Sequence, residues 1–138
     1  MMSDRIKSWD LRLIKYVTAE LEKPFDWVTS NCGHLMAASV IACCGDEHPI
    51  LEELTKRLTK EEMEATNLEE VLGRYFFRLP SILHAQRGDL MLVKREDGLE
   101  AGCVLLDGYI VGKSEKLSRA GSNVFRLPIA SAAVAFRV

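Results

Sequence analysis

Cys32 and the three histidines are the residues of this chain whose types could perform nucleophilic catalysis. Cys32 follows the polar turn "TSN" and begins an almost wholly apolar run that ends before Gly45. A thiol in the first turn of a helix lies at the positive end of the helix dipole, which favours the thiolate. The sequence therefore places Cys32 where a nucleophile would stand. Cysteine is also among the most buried residue types, so a core position is the plainer alternative.

A cysteine nucleophile needs a base, so each histidine is a candidate. His34 lies two residues after Cys32, and such positions on a helix point to nearly opposite sides. A local polar contact at the helix start is the simpler interpretation of His34. His48 stands beside two acidic residues and is expected to be exposed. His84 precedes the first predicted strand and could fold over the cleft, which makes it the leading base candidate, with His34 as the weaker alternative.

The remaining cysteines, Cys43, Cys44 and Cys103, do not show the spacing of a disulfide or metal site. On one helix, Cys32 and Cys43 would lie about 16 Å apart along the axis, beyond the reach of a disulfide. Structural zinc sites use four ligands with paired spacings such as C-x-x-C, which this chain lacks. We therefore expect free thiols, no metal and no cofactor.

Helices in the first half of the chain must position Cys32. Apolar residues recur at helical spacing over residues 8–21, before Pro24. A second helix is expected from Cys32 to Cys44, capped by Asn31 or Ser30. It has no charged residue, so it should be buried on every side. The predicted stripe of the first helix comprises Leu11, Ile14, Tyr16, Val17 and Leu21.

A third helical segment begins near Pro49, and its Glu/Lys-rich middle predicts a break between two helices. The inner face of the second of these helices is expected to comprise Leu68, Val71, Leu72 and Tyr75. Short apolar runs separated by Gly, Asp and Pro follow, and they predict an antiparallel meander of about four or five strands. This order indicates an α+β fold, with one domain over residues 1–138, a helical half over about 1–80 and a β half over about 86–138.

Bulk composition excludes several classes of partner. The net charge is −2, and the densest basic group, from Lys113 to Arg119, is diluted by Glu115 and two serines, which indicates a solvated loop. We therefore expect no nucleic-acid binding. The sequence has no run of about 18 apolar residues, so we expect no membrane-spanning helix. The charged N-terminus does not resemble a signal peptide.

The order of these parts resembles the papain-like fold of the NlpC-type cell-wall peptidases. A D-C-S-G-type motif begins the helix in those enzymes, and a GDL motif begins their first strand. More closely, the whole chain resembles a short phage-encoded family on that fold, found among tail genes and of undefined biochemical function. The matching residues are Asn31, Cys32 and Gly33; Gly88, Asp89 and Leu90; "PF-W" at Pro24, Phe25 and Trp27; Gly45 and Asp46; "QRGDL" from Gln86; and the terminal "SAAVAFRV".

One position departs from the resemblance. The second strand of the NlpC-type enzymes reads H-V-G-I-Y-L-G-D-G, with histidine as the general base. Anchored without gaps at Asp107 and Gly108, this pattern places Gly102 on its glycine and Glu100 on the histidine. A carboxylate near a thiol would raise the thiol pKa rather than lower it. The resemblance implies a cleft lined by Trp27, Asn31, Gly33, Asp89 and Gly102, although a turn residue is the simpler role for Asp89.

Together, these expectations predict a phage tail protein that acts as a structural or assembly component at the tail tip. Its cysteine-peptidase-like site would be degenerate. Its partners would be other phage tail proteins, and it would pass from the host cytoplasm into the virion tail. The alternative is a cysteine hydrolase, a peptidoglycan endopeptidase or amidase with Cys32 as nucleophile, which would bind bacterial peptidoglycan. A third alternative is a cytoplasmic α+β thiol protein unrelated to phage.

Overall fold

The computed structural model describes residues 5–55, 61–62, 66–95, 98–114 and 123–138, and there helices pack against one antiparallel sheet. The α+β class predicted from the sequence is confirmed. The helices are α1 (Trp9–Glu22), α2 (Cys32–Cys44), α3 (Ile50–Leu54) and α4 (Leu68–Tyr75). The strands are β1 (Phe77–Arg78), β2 (Leu90–Arg95), β3 (Gly98–Leu106), β4 (Tyr109–Lys113), β5 (Val124–Pro128) and β6 (Val134–Arg137).

Helix α1 forms where predicted, and Tyr16, Val17 and Leu21 of the predicted stripe contact the core, but two stripe residues do not. Leu11 is 68% exposed and Ile14 is 45% exposed, although both belong to the predicted stripe. The buried positions are Leu13, Val17 and Glu20, which follow one another at the spacing of a single helix face. Glu20 is polar, so a count of apolar residues alone does not mark it as part of the buried face.

Helix α2 is the buried central helix that the sequence predicts. The Asn31 side chain caps it by accepting hydrogen bonds from the backbone N–H groups of Gly33 at 2.7 Å and His34 at 3.2 Å. Gly45 ends the helix with a φ of 91°, a backbone conformation that glycine adopts readily. A Cβ atom at Gly33 would lie 2.2 Å from the carbonyl oxygen of Leu54, so glycine permits the close packing of α2 on α3.

The two later helices form on either side of the predicted break, whose residues 56–60 and 63–65 lie outside the described part of the chain. Leu68 and Leu72 are buried as expected. Tyr75 is not, because it is 37% exposed and its ring packs against His48 at a centroid distance of 5.9 Å. In the described residues, no helix is long and apolar enough to cross a membrane.

The sheet has six described strands in the order β1-β6-β2-β3-β4-β5. Strands β2 to β5 form the predicted meander, but the expected count of four or five strands is too low, because β1 lies in the half predicted to be helical. The last strand also does not continue the meander. It crosses to the other side and pairs with β2, where Phe136 lies opposite Leu90. Three of its four residues are buried, and a strand apolar on both faces requires neighbours on both sides.

Apolar residues fill both faces of this sheet. The helix-side cluster lies between the sheet and α1 and α2, and the opposite-face cluster lies beneath the short 3₁₀ turns at 82–84 and 129–131. The helix-side cluster includes Leu13, Val17, Leu35, Met36, Val40, Leu90, Leu92, Ala101, Cys103 and Phe136. The opposite-face cluster comprises Leu79, Met91, Val93, Val104, Ile110, Phe125, Ala132 and Ala135.

Cations from distant parts of the chain bind the carbonyl groups at the ends of α1 and α2. Arg12 donates from its guanidinium to the carbonyl oxygens of Ile41 at 2.9 Å and Ala42 at 3.1 Å, near the end of α2. Lys113 does the same at the end of α1. Both contacts place positive charge at the negative end of a helix dipole and give the carbonyl groups of the last turn a hydrogen-bond donor.

Candidate functional site at the start of helix α2

Cys32 is the first residue of α2 and lies half-buried at the edge of the helix-side cluster. Burial, and as a smaller cause the Glu100 carboxylate, raise the pKa of its thiol to about 11. Hydrogen bonds from the backbone of Gly33 and Cys32 act in the opposite direction but are smaller causes. Desolvation therefore outweighs the favourable position at the helix start, and the thiol stays protonated at neutral pH.

Glu100 influences this thiol electrostatically, but its strand position belongs to the other face of the sheet. Glu100 pairs with Val93, which packs in the opposite-face cluster. Its neighbour Ala101 packs in the helix-side cluster with α2. Because successive strand residues alternate between faces, Glu100 does not stand on the face that Cys32 approaches. Its carboxylate instead accepts a hydrogen bond from the Ser114 hydroxyl at 2.9 Å.

A β-bulge in β3 lies between Glu100 and the turn at Asp107 where the family pattern is anchored. The pairing with β4 shifts between Val104 and Leu106, and an extra residue in a strand reverses the alternation on one side of it. Counting back from Asp107 without gaps therefore does not by itself determine the face on which Glu100 stands.

His34 has a structural role at the start of α2. Its Nδ1 accepts a hydrogen bond from the backbone N–H of Asn31 at 3.2 Å, which completes a reciprocal capping box with the Asn31 side chain. Burial lowers the pKa of the imidazole, and the Glu20 carboxylate opposes this shift. The ring therefore acts as a neutral hydrogen-bond acceptor toward Asn31, and this agrees with the local polar contact expected from sequence.

His84 lies toward the opposite end of α2 from Cys32. It is exposed in the 3₁₀ turn at 82–84, and its carbonyl oxygen accepts a hydrogen bond from Arg137 at 3.0 Å. The same region contacts α2 through Ser39, whose hydroxyl donates to the Gly88 carbonyl at 2.8 Å. Ser39 stands about two helical turns beyond Cys32. Among the described residues, no hydrogen bond or ring contact joins His84 or His34 to the thiol.

Asp89 also lies away from Cys32, in a buried polar cluster. Its carboxylate accepts hydrogen bonds from Arg5 at 2.8 Å and Arg137 at 3.0 Å. It also accepts from the backbone N–H groups of Gln86 at 2.8 Å and Val138 at 3.1 Å. Asp89 thus fixes the turn before β2, which is the simpler role expected from the sequence. It also joins both ends of the described chain. It does not line the cleft beside Cys32.

Of the other predicted cleft residues, Trp27 lies near Cys32, whereas Gly102 has a role in strand packing. Trp27 lies in the loop before α2, where its carbonyl accepts from the Asn31 side chain at 2.8 Å and its ring meets Phe25 edge-on at 5.0 Å. It is half-buried and remains near Cys32. At Gly102, a Cβ atom would lie 2.2 Å from the carbonyl oxygen of Val111, so this glycine serves the packing of β3 on β4.

Sequence reasoning missed the most unusual group near Cys32, the buried Lys113. Its side chain is fully buried and donates to the carbonyl oxygens of Glu20 at 3.0 Å and Lys23 at 2.9 Å. The expected solvated basic loop is therefore wrong for Lys113, and residues 115–119 of that group lie outside the described chain. The available signal was its place at the end of the apolar run "YIVGK", in phase with Val111 of the helix-side cluster.

The described residues contain no group of three or more His, Cys, Asp or Glu side chains that could hold a metal ion. Residues 4–138 match the protein family described as a domain of unknown function (DUF6950). The chain belongs to this family. No curated protein matches it. DUF6950 thus covers both the Cys32 site and the buried Asp89 cluster.

Proposed function

We propose that this DUF6950 protein is a structural or assembly component of a phage tail, built on a papain-like NlpC-type fold whose cysteine-peptidase-like site is degenerate. One observation carries the degenerate site: burial and the Glu100 carboxylate both hold the thiol of Cys32 in its protonated form. A cysteine hydrolase requires the opposite, a thiolate paired with an acid–base residue. The tail role itself rests on the resemblance of the motif order.

The placement of the histidines supports the same proposal. The imidazole of His34 is held by the backbone of Asn31, and His84 lies among the contacts at the other end of α2. Neither can take the thiol proton without leaving these positions, and a general base must come within hydrogen-bond reach of the proton it accepts. Glu100 stands where the family pattern has its catalytic histidine, and its carboxylate accepts a hydrogen bond from the Ser114 hydroxyl.

Cys32 at the first residue of α2 is the one observation that favours the second candidate, a cysteine peptidase or amidase acting on peptidoglycan. In that function Cys32 would be the nucleophile, and the backbone amides at the helix start would stabilise the oxyanion. However, the N–H groups of Gly33 and His34 already donate to the Asn31 side chain. This candidate therefore needs the cap to be rearranged as well as a base to be supplied.

Two experiments test the proposal. Purified protein incubated with cell walls is expected to release no more fragments than its Cys32→Ala variant, and Cys32-dependent release would overturn the degenerate site. In the phage that encodes the chain, loss of the gene is expected to abolish complete tails in electron micrographs, whereas Cys32→Ala virions should infect normally. Complete tails without the gene would contradict the structural role.

A further inference from the structure

The loop before Cys32 is connected to the rest of the molecule through a buried ionic group. Nζ of Lys113, at the end of β4, donates to the hydroxyl of Ser30 as well as to the two carbonyl groups at the end of α1. The Ser30 hydroxyl donates in turn to the carboxylate of Glu20. The carboxylate oxygen Oε2 lies 3.9 Å from Nζ. Ser30 thus stands between a buried cation and a buried anion.

This loop forms a compact unit of its own. Asp26 and Ser30 exchange two backbone hydrogen bonds, each 3.0 Å long. The Asp26 carboxylate accepts from the backbone N–H groups of Val28 and Thr29. Because the loop is tied to itself, a force on Ser30 moves its neighbours together, including the Asn31 cap and the Cys32 thiol next to it.

We propose that Lys113, acting through Ser30 and Glu20, is a lock that holds this loop closed and thereby controls access to the Cys32 thiol. Breaking the lock detaches the loop from β4 and from α1 and lets reagents reach the thiol, while the rest of the sheet stays folded. Lys113 is in this sense a positioning residue for the loop that precedes α2.

The charges around Nζ favour a lock of this kind. Glu20 faces Lys113 from α1, Lys23 lies just beyond that helix, and His34 faces it from α2. Burial lowers the pKa of Lys113, and the Glu20 carboxylate opposes that shift. A buried cation with oxygen partners is costly to leave unpaired. The closed loop is therefore favoured as long as Ser30 and both helix-end carbonyls remain in place.

This proposal rests on the proposed function only in that the Cys32 thiol is shielded from reagents, and a separate experiment tests it. Cys32 alkylation is followed by peptide mass spectrometry in the folded protein, with Cys103 as an internal control, since Cys103 is fully buried in the helix-side cluster. Lys113→Met is expected to speed Cys32 alkylation by at least about tenfold, the ratio that corresponds to losing a hydrogen bond to a charged group. Alkylation of Cys103 should not change. Lys94→Met, which removes an exposed lysine on β2, serves as the matched control and should leave both rates unchanged.

A second variant covers the case in which Lys113→Met does not fold. Ser30→Ala keeps the cation and its two carbonyl partners but removes the hydroxyl that joins the loop to them, and it should also speed alkylation of Cys32 selectively. An unchanged Cys32 rate in Ser30→Ala, or rates of Cys32 and Cys103 that rise together, would overturn the lock. Cell-wall cleavage in any of these variants would instead count against the proposed function.

Discussion

Replacing Asp89 by alanine should be among the most destabilising single changes in this protein. The substitution removes an acceptor of four hydrogen bonds and leaves Arg5 and Arg137 without their carboxylate. The side chain of Arg5 is 7% exposed and that of Arg137 is 23% exposed, so water can replace the lost partner only in part. Removing one member of a buried ion pair costs about 3–5 kcal/mol.

The lower end of that range applies here because Arg137 retains a hydrogen bond to the His84 carbonyl. We therefore expect Asp89→Ala to lower the free energy of unfolding by about 3 kcal/mol, which corresponds to a loss of about 10 °C in Tm for a domain of this size. Chemical denaturation followed by circular dichroism measures the first quantity, and a thermal scan measures the second.

Glu69→Ala provides a matched control, because Glu69 also contacts two cations. Its contacts to Arg78 at 2.7 Å and Lys94 at 3.6 Å lie on the surface. Exposed ion pairs contribute less than about 1 kcal/mol. If Asp89→Ala and Glu69→Ala cost the same free energy of unfolding within about 1 kcal/mol, the assignment of Asp89 as a buried structural centre is wrong.

Three further predictions concern α2 and its surroundings, with Gly73 on α4 as a control for the third. Glu100→Gln should lower the pKa of Cys32 but leave it above the ordinary thiol value, since burial is the larger cause; an unchanged alkylation profile would refute the coupling. Burial lowers the pKa of His34, so as the pH falls below about 6.5 the unfolded chain takes up a proton that the folded one does not. The free energy of unfolding should therefore decline as the pH falls from about 6.5 to 5. The decline should be less steep in His34→Gln, and an equally steep decline in both proteins would disprove the role of this ring. Gly33→Ala, whose Cβ would lie 2.2 Å from a carbonyl oxygen, should cost about 2 kcal/mol in a urea titration. Gly73→Ala, with its nearest contact at 3.8 Å, should instead stabilise the protein by up to about 1 kcal/mol, and similar effects of the two would contradict the packing argument.

Features that depend on neighbouring residues were predictable from the sequence. The apolar run after Cys32 predicts a buried helix, and Asn31 and Gly45 mark its ends because capping uses groups within a few residues of the terminus. The meander of β2 to β5 is local in the same sense, since each strand pairs with the next. The helix at the start of the chain was placed correctly for this reason, although only part of its predicted apolar stripe is buried.

Features that depend on distant residues were not predictable in this way. The position of β6 beside β2 goes with the burial of Phe136 in the helix-side cluster, which no nearby residue indicates. Lys113 ends an apolar run, but the oxygen atoms that bind it stand about 90 residues away in the chain. The pairing of β3 with β4 shifts between Val104 and Leu106, and such a shift cannot be read from one strand alone.

The pH dependence of Cys32 alkylation tests the central claim most directly, with the other cysteines resolved by peptide mass spectrometry and with His34→Ala and His84→Ala as variants. We expect slow alkylation with an apparent pKa near 11, and neither histidine change should lower or raise this pKa appreciably. An apparent pKa well below the free-thiol value of about 8.5, restored to normal by removing one histidine, would overturn the degenerate site and establish a working thiolate pair.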